Sequence, residues 1–263
     1  MPKVPRVTVP PRLALTGVRK AHGTQIALDG VDLAVSAGSF VALVGASGSG
    51  KTTLLKTINR LVVPDAGTIR IDGVDAAGEA APALRRRIGY VFQHIGLFPH
   101  LSVGENIWMV PRLARAPLSG RATRVAELLR MVGLPEDMAT RLPPALSGGQ
   151  AQRVGFARAL AARPQIVLMD EPFGALDPIT RDELGRAYRA LHDAQALTTL
   201  MVTHDMAEAL LLADRIVVLD AGRIRADGTP AALMAGHEDP LVRHLVDVPR
   251  RQAERLAAIG MRT

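Results

Sequence analysis

The chain has no cysteine among its 263 residues. Disulfides and thiolate metal sites are therefore excluded, and a cytosolic protein is the simplest expectation. Aromatic residues make up only 3%, which is poor material for stacking nucleobases. No apolar run approaches the length needed to cross a bilayer. The runs at Val41–Val44 and Ile166–Met169 are short, like strands buried on both faces of a parallel sheet. The opening MPKVPRVTVPPR is basic but broken by prolines, and it lacks a hydrophobic segment. It reads as an extended, flexible tail over residues 1–11 rather than a secretion signal.

What is present is apolar mass, positive charge and glycine. At 48% hydrophobic residues, the chain can build a large core in one or two closely joined domains. The formal charge of +7 comes mostly from arginine. It suits nucleic acid, anionic lipid or phosphate ligands. The plainer reading is arginines scattered over solvated faces, since runs such as Arg85-Arg86-Arg87 are short.

The chain carries no internal repeat and no low-complexity linker. Residues 12–45 alternate like strands, with turns at Ala21–Thr24 and Ala37–Gly38. A strand ending near Val44 runs into a glycine-rich loop, and a helix is predicted from about Lys51 to Arg60. Residues 67–73, GTIRIDG, read as a strand pair around a turn, and 87–92 as a strand. From about 100 to 162 the pattern is mostly helical. Strands follow at Gln165–Asp170, Thr198–Thr203 and Arg215–Leu219, with helices at Pro178–Ala194 and Met206–Leu212. Further helical stretches are expected near Leu241–Val246 and Arg251–Ile259. Repeated strand–helix alternation argues for an α/β fold with a mainly parallel sheet and a helical insert.

GASGSGKT, Gly45–Thr52, fits G-x-x-x-x-G-K-[ST] without a gap, after an apolar strand and before a helix. Small residues let backbone N–H groups curl around phosphate oxygens at a helix N-terminus. Lys51 would reach the β- and γ-phosphates, and the Thr52 hydroxyl would sit on Mg²⁺. A chance glycine-rich turn is the alternative, and the strand–loop–helix setting disfavours it. IVLMDEP, Ile166–Pro172, supplies a second part: a buried strand ending in two acids. Asp170 can hold Mg²⁺, and Glu171 is placed to orient or deprotonate an attacking water; two solvated acids are the alternative, which the buried run and the phosphate loop disfavour. His204 ends another short apolar strand, either as a structural histidine or as a γ-phosphate contact. Gln93 follows the strand at Gly89–Phe92 and could reach Mg²⁺ or the water.

LSGGQAQRV, residues 146–154, starts a helix oddly. Ser147 and Gln150 form a capping-box pattern, yet Gly148 and Gly149 between them are poor helix formers. A helix that only had to start would carry alanine or glutamate there.

Together these stretches resemble the ATP-binding subunit of ABC transporters, over about residues 12–235. The markers are GASGSGKTT (45–53), Gln93, LSGGQ (146–150), LMDEP (168–172), GALD (174–177) and His204, in the family's order and spacing. The resemblance implies a P-loop NTPase core with a mainly parallel sheet, an N-terminal antiparallel β subdomain and an inserted α-helical subdomain at about 95–162. The ATPase domain would span 12–235, followed by a helical tail over 236–263. ATP and Mg²⁺ would be bound by Gly45, Ala46, Ser47, Gly48, Ser49, Gly50, Lys51, Thr52 and Thr53, with Thr52, Gln93 and Asp170 at the metal. Glu171, His204 and Gln93 would serve hydrolysis. In the family two copies pack head to tail, so Ser147, Gly148, Gly149 and Gln150 would face the γ-phosphate held by the partner. The bare first turn then lets that nucleotide reach backbone. Asp177 would lie in the dimer interface. An aromatic residue that usually stacks on adenine is replaced by His22, read either as a weak stacking ring or as a solvated turn residue.

The chain lacks the fused membrane helices of exporters, the long insertions of DNA-repair relatives and the second cassette of translation factors. The resemblance then implies a separate ATPase at the cytoplasmic face of a membrane, which would dock on permease subunits through Gln93 and Leu97–Asn106 and be served indirectly by a substrate-binding protein. RRRIGYVFQHIGLFPHLSVGENI (85–107) and EPFGALDPITRDEL (171–184) look like importers of osmoprotectants such as glycine betaine and choline. Gly174 also occurs in nitrate and sulfonate importers. Importers of those anions or of amino acids are therefore alternatives. A non-transport ATPase acting on nucleic acid and a regulatory module without turnover are more remote ones, and no nucleic-acid partner is expected. With 263 residues, no length is left for the paired CBS modules of many osmoprotectant ATPases, so salt gating by that route is not expected.

Overall fold

The computed structural model describes residues 11–93 and 96–260. All but Pro11 of the tail predicted over 1–11 lies outside them. Strands β1 (Leu13–His22) and β2 (Gln25–Val35) form an antiparallel hairpin, and β3 (Phe40–Val44) leads into helix α1 (Lys51–Ile58). Then come β4 (Ala66–Ile71), β5 (Val74–Asp75), α2 (Ala81–Arg87) and β6 (Ile88–Val91). A helical stretch follows: α3 (Val103–Ile107), α4 (Met109–Leu113), α5 (Arg121–Met131) and α6 (Gly148–Leu160). The chain returns to the sheet with β7 (Ile166–Asp170), α7 (Pro178–Gln195), β8 (Thr198–Thr203), α8 (Met206–Leu212) and β9 (Arg215–Asp220). It finishes with β10 (Arg223–Gly228), α9 (Pro230–Met234) and α10 (Pro240–Gly260).

Two sheets result. The larger has the order β10-β9-β3-β8-β7-β6, parallel except for the β9–β10 hairpin. The smaller, β2-β1-β4-β5, is antiparallel. Every residue of β3, β7 and β8 is buried, as a parallel sheet covered on both faces requires. Alternation divides them between two cores. Phe40, Ala42, Val44, Val167 and Met169 face the core shared with α5, α6 and α7. Val41, Leu43, Ile166 and Leu168 face the core shared with α1 and the antiparallel sheet. Because the strands run parallel, the C-terminal ends of β3, β6, β7 and β8 share one edge, where α/β folds bind ligands.

The α/β class, the mainly parallel sheet and the helical insert agree with the sequence reading. The differences are local. Helix α1 ends at Ile58, and Arg60 turns left-handed at φ 57°. Helix α2 was not predicted: Pro82 opens it and only Leu84 is buried, so it shows no apolar period. Strand β10 escaped for a similar reason, since Arg223, Arg225 and Asp227 point outward and only Ala226 is buried. The two stretches predicted near 241–246 and 251–259 are one helix running through Pro249. Proline removes an N–H donor and reads as a break, but the turns on either side hold.

Candidate functional site

The loop after β3 is shaped by backbone crowding. Gly50 has φ 104°, and a Cβ there would fall inside the Ala27 carbonyl oxygen and press on Leu28. At Gly45 a Cβ would collide with the Leu219 carbonyl. Gly48 has φ 78° with open space around it, so it answers only the left-handed backbone. The loop is pinned from β9–β10 by the Gly222 N–H on the Ser49 carbonyl at 3.0 Å. Lys51, buried, curls back to donate to the carbonyls of Gly45 (2.8 Å) and Ala46 (2.7 Å). Burial holds its ammonium below the usual lysine range, while Glu171 and Asp170 pull the other way.

Thr52 Oγ1 donates to Asp170 Oδ1 at 2.7 Å, joining the start of α1 to the end of β7. Burial pushes the Asp170 carboxyl up, opposed by the Thr52 hydrogen bond and by Lys56. Glu171, the next residue, is left-handed at φ 46°. That state costs a non-glycine residue roughly 1–3 kcal/mol. It is held by the Glu171 N–H on the Val202 carbonyl at 2.9 Å. The turn brings the Glu171 carboxylate between Gln93 and His204, which follow other strand ends. Gln93 Nε2 donates to Oε2 at 3.1 Å, and His204 Nδ1 lies 3.4 Å from Oε1. Residues from β6, β7 and β8, far apart in sequence, thus meet at one carboxylate.

A hydroxyl and a carboxylate are hard oxygen donors of the kind Mg²⁺ takes. Among the described residues no three His, Asp or Glu side chains gather to hold a metal by themselves. The oxygens of Thr52 and Asp170, 2.7 Å apart, fit magnesium by donor type.

Ser147 and Gln150 form the predicted capping box: the Gln150 N–H donates to Ser147 Oγ at 3.2 Å and the Ser147 N–H to Gln150 Oε1 at 3.0 Å. A Cβ at Gly148 would meet nothing within 4 Å, and one at Gly149 would make only ordinary contact with Leu176. Among the described residues, no packing contact requires either glycine. Asp177 caps α7 by accepting the Thr180 N–H at 3.0 Å, which also holds its carboxyl low. His22 is exposed at the end of β1, where it pairs with Gln25 across the hairpin.

A profile of the ABC transporter family matches residues 28–174. The chain belongs to the ABC transporter family. It is 47% identical over 239 residues to the choline transport ATP-binding protein OpuBA of Bacillus subtilis, covering 90% of this chain and 63% of that protein. It is 48% identical over 218 residues to the sulfate/thiosulfate import ATP-binding protein CysA of Mycobacterium tuberculosis, covering 83% of this chain and 61% of that one. The chain thus spans less than two thirds of the length of either relative. A dimeric solved structure of the ATP-binding cassette MJ0796, in a post-hydrolysis state bound to ADP and Pi, superposes with a TM-score of 0.77 at 35% identity. It covers 83% of this chain and 98% of that one.

Two buried residues of this ABC chain went unnoticed in the sequence. Asn106 donates from Nδ2 to the carbonyls of Phe98, Leu101 and Ser102 and accepts the Phe98 N–H, so it shapes the loop that follows Gln93. Gln152 donates to the Pro172 carbonyl at 2.8 Å, tying α6 to the turn after Glu171. A polar residue at a buried helix position is the signal that marks both.

Proposed function

We propose that the chain is the ATP-hydrolysing subunit of an importer, with osmoprotectants of the choline and glycine betaine type as the transported class. The observation that carries the hydrolytic part is the Glu171 carboxylate, flanked by Gln93 and His204 beside the Thr52–Asp170 pair. ATP lies with its phosphates in the backbone cradle of Gly45–Thr53, and Lys51 leaves the Gly45 and Ala46 carbonyls for the β- and γ-phosphates. Thr52, Asp170 and Gln93 would hold Mg²⁺, which would supply positive charge to offset that of the phosphates. Glu171 takes a proton from, or orients, the attacking water. His204 contacts the γ-phosphate.

The partner's signature turn completes the site. Ser147, Gly148, Gly149 and Gln150 of one copy approach the triphosphate of the other, so ATP closes the pair and hydrolysis lets it reopen. Support comes from Gly148, whose missing side chain nothing among the described residues explains, and from the dimeric form of the solved relative. Asp177 lies beside that contact, and His22 borders the adenine. We assign residues 12–235 to the ATPase domain, with its helical part at about 95–162. A permease in the membrane docks near Gln93 and 97–106 and brings the subunit to the cytoplasmic face, and a substrate-binding protein delivers the cargo to that permease. The choline-transport relative favours quaternary amines. The sulfate-import relative, at similar identity, favours a small anion as a second reading. Uptake by the reconstituted importer of choline, and not of sulfate, separates them.

Glu171→Gln tests the hydrolytic role. It is expected to bind ATP normally while hydrolysis falls about a hundredfold or more. Hydrolysis at the wild-type rate would remove Glu171 from the mechanism.

A further inference from the structure

Arg181 lies in the first turns of α7, four residues beyond Asp177, and its guanidinium reaches two ways. Toward the 174–177 stretch, Nη2 donates to the Leu176 carbonyl at 3.3 Å. Toward the end of β8, Nη1 is 3.7 Å from Asp205 Oδ2 and Nε is 3.7 Å from Glu208 Oε1. Those separations are ion-pair distances, too long for hydrogen bonds. Nε is buried and has no hydrogen-bond partner among the described residues, which is a costly state for a charged donor. A movement of roughly 1 Å would bring it onto Glu208.

The acidic side of this cluster holds His204 on both flanks. The Glu208 side chain is only 12% exposed, and Thr203 Oγ1 donates to its other oxygen at 2.7 Å. The same hydroxyl accepts the Asp205 N–H at 3.0 Å. Asp205 caps α8 by accepting the N–H groups of Ala207 and Glu208. Of the two neighbours of His204, Thr203 is therefore bonded to Glu208, and Asp205 turns its own carboxylate toward Arg181. On the other side, the 172–177 stretch touches the signature helix: Gln152 donates to the Pro172 carbonyl, and a Cβ at Gly149 would lie 3.6 Å from the Leu176 side chain.

We propose that Arg181 and Glu208 act as a positioning pair that couples the 174–177 stretch to His204. When a partner docks on the signature turn and on Asp177, Leu176 and α7 shift together. Arg181 then closes onto Glu208, and the Thr203–Asp205 turn presents His204 at its working distance from Glu171. Neither Arg181 nor Glu208 touches ATP. The inference rests on the ATPase reading above, and its test separates the two.

The test measures steady-state ATP hydrolysis by the full chain carrying Arg181→Lys, Arg181→Met, Glu208→Gln or Arg181→Met with Glu208→Gln. Each single variant is expected to lower kcat about tenfold while KM for ATP stays within about twofold. The double variant should match Arg181→Met, because a broken pair cannot be broken twice. Arg181→Lys keeps the charge but not the fork, so it should fall in kcat as well. If Arg181→Met does not fold, Arg181→Lys and Glu208→Gln carry the test. Wild-type kcat in these variants, losses that multiply in the double variant, or a raised KM at full kcat would each overturn the pair. Absence of hydrolysis in the wild-type protein would instead overturn the ATPase reading, and the pair with it.

Discussion

Two glycine stretches, Gly45–Gly50 and Gly148–Gly149, use one residue type for different reasons. At Gly50 the reason lies inside the chain, in a φ of 104° and a Cβ position already filled by Ala27 and Leu28. At Gly148 the backbone is ordinary helix, and a Cβ would stand in open space. The first glycine is needed to fold the phosphate loop. The second is not needed to fold anything, and it lowers helix propensity where it stands. A glycine that its own chain does not require points to approach by another molecule.

The comparison can be broken by substitution. Gly50→Ala should destabilise the protein most, by roughly 3 kcal/mol in denaturant unfolding; a stable Gly50→Ala protein would show that the crowding at Ala27 relaxes. Gly148→Ala should leave stability unchanged or raise it by up to about 1 kcal/mol, yet cut hydrolysis about tenfold. Full hydrolysis by Gly148→Ala would erase the distinction between the two stretches. The smallest effect belongs to His22. His22→Tyr should tighten ATP binding about threefold by added stacking area, and equal affinities in the wild type, His22→Ala and His22→Tyr would leave His22 a solvated hairpin residue.

Features encoded by neighbouring residues were legible in the sequence. The phosphate loop, the apolar run ending in Asp170 and Glu171, and the Ser147–Gln150 capping box are each contiguous, and each has a local physical cause. The parallel sheet followed from short apolar runs alternating with helical periods. What the sequence hid depends on meetings across the chain. The crowding of Gly50 by Ala27 and of Gly45 by Leu219 is a tertiary contact. So is the cluster of Arg181 with Asp205 and Glu208, which read in sequence as ordinary charges on helix faces. The left-handed turn at Glu171 was also invisible, because its support comes from the Val202 carbonyl on the neighbouring strand. Asp177 was singled out for a contact between copies; within one chain it is a helix cap.

Hydrolysis as proposed requires two copies to close over shared ATP. Light-scattering mass of Glu171→Gln at saturating ATP and Mg²⁺ tests this most directly. A stable dimer is expected, which reverts to monomer when Gly148→Ala is added. A monomer from Glu171→Gln alone, with ATP bound, would contradict it.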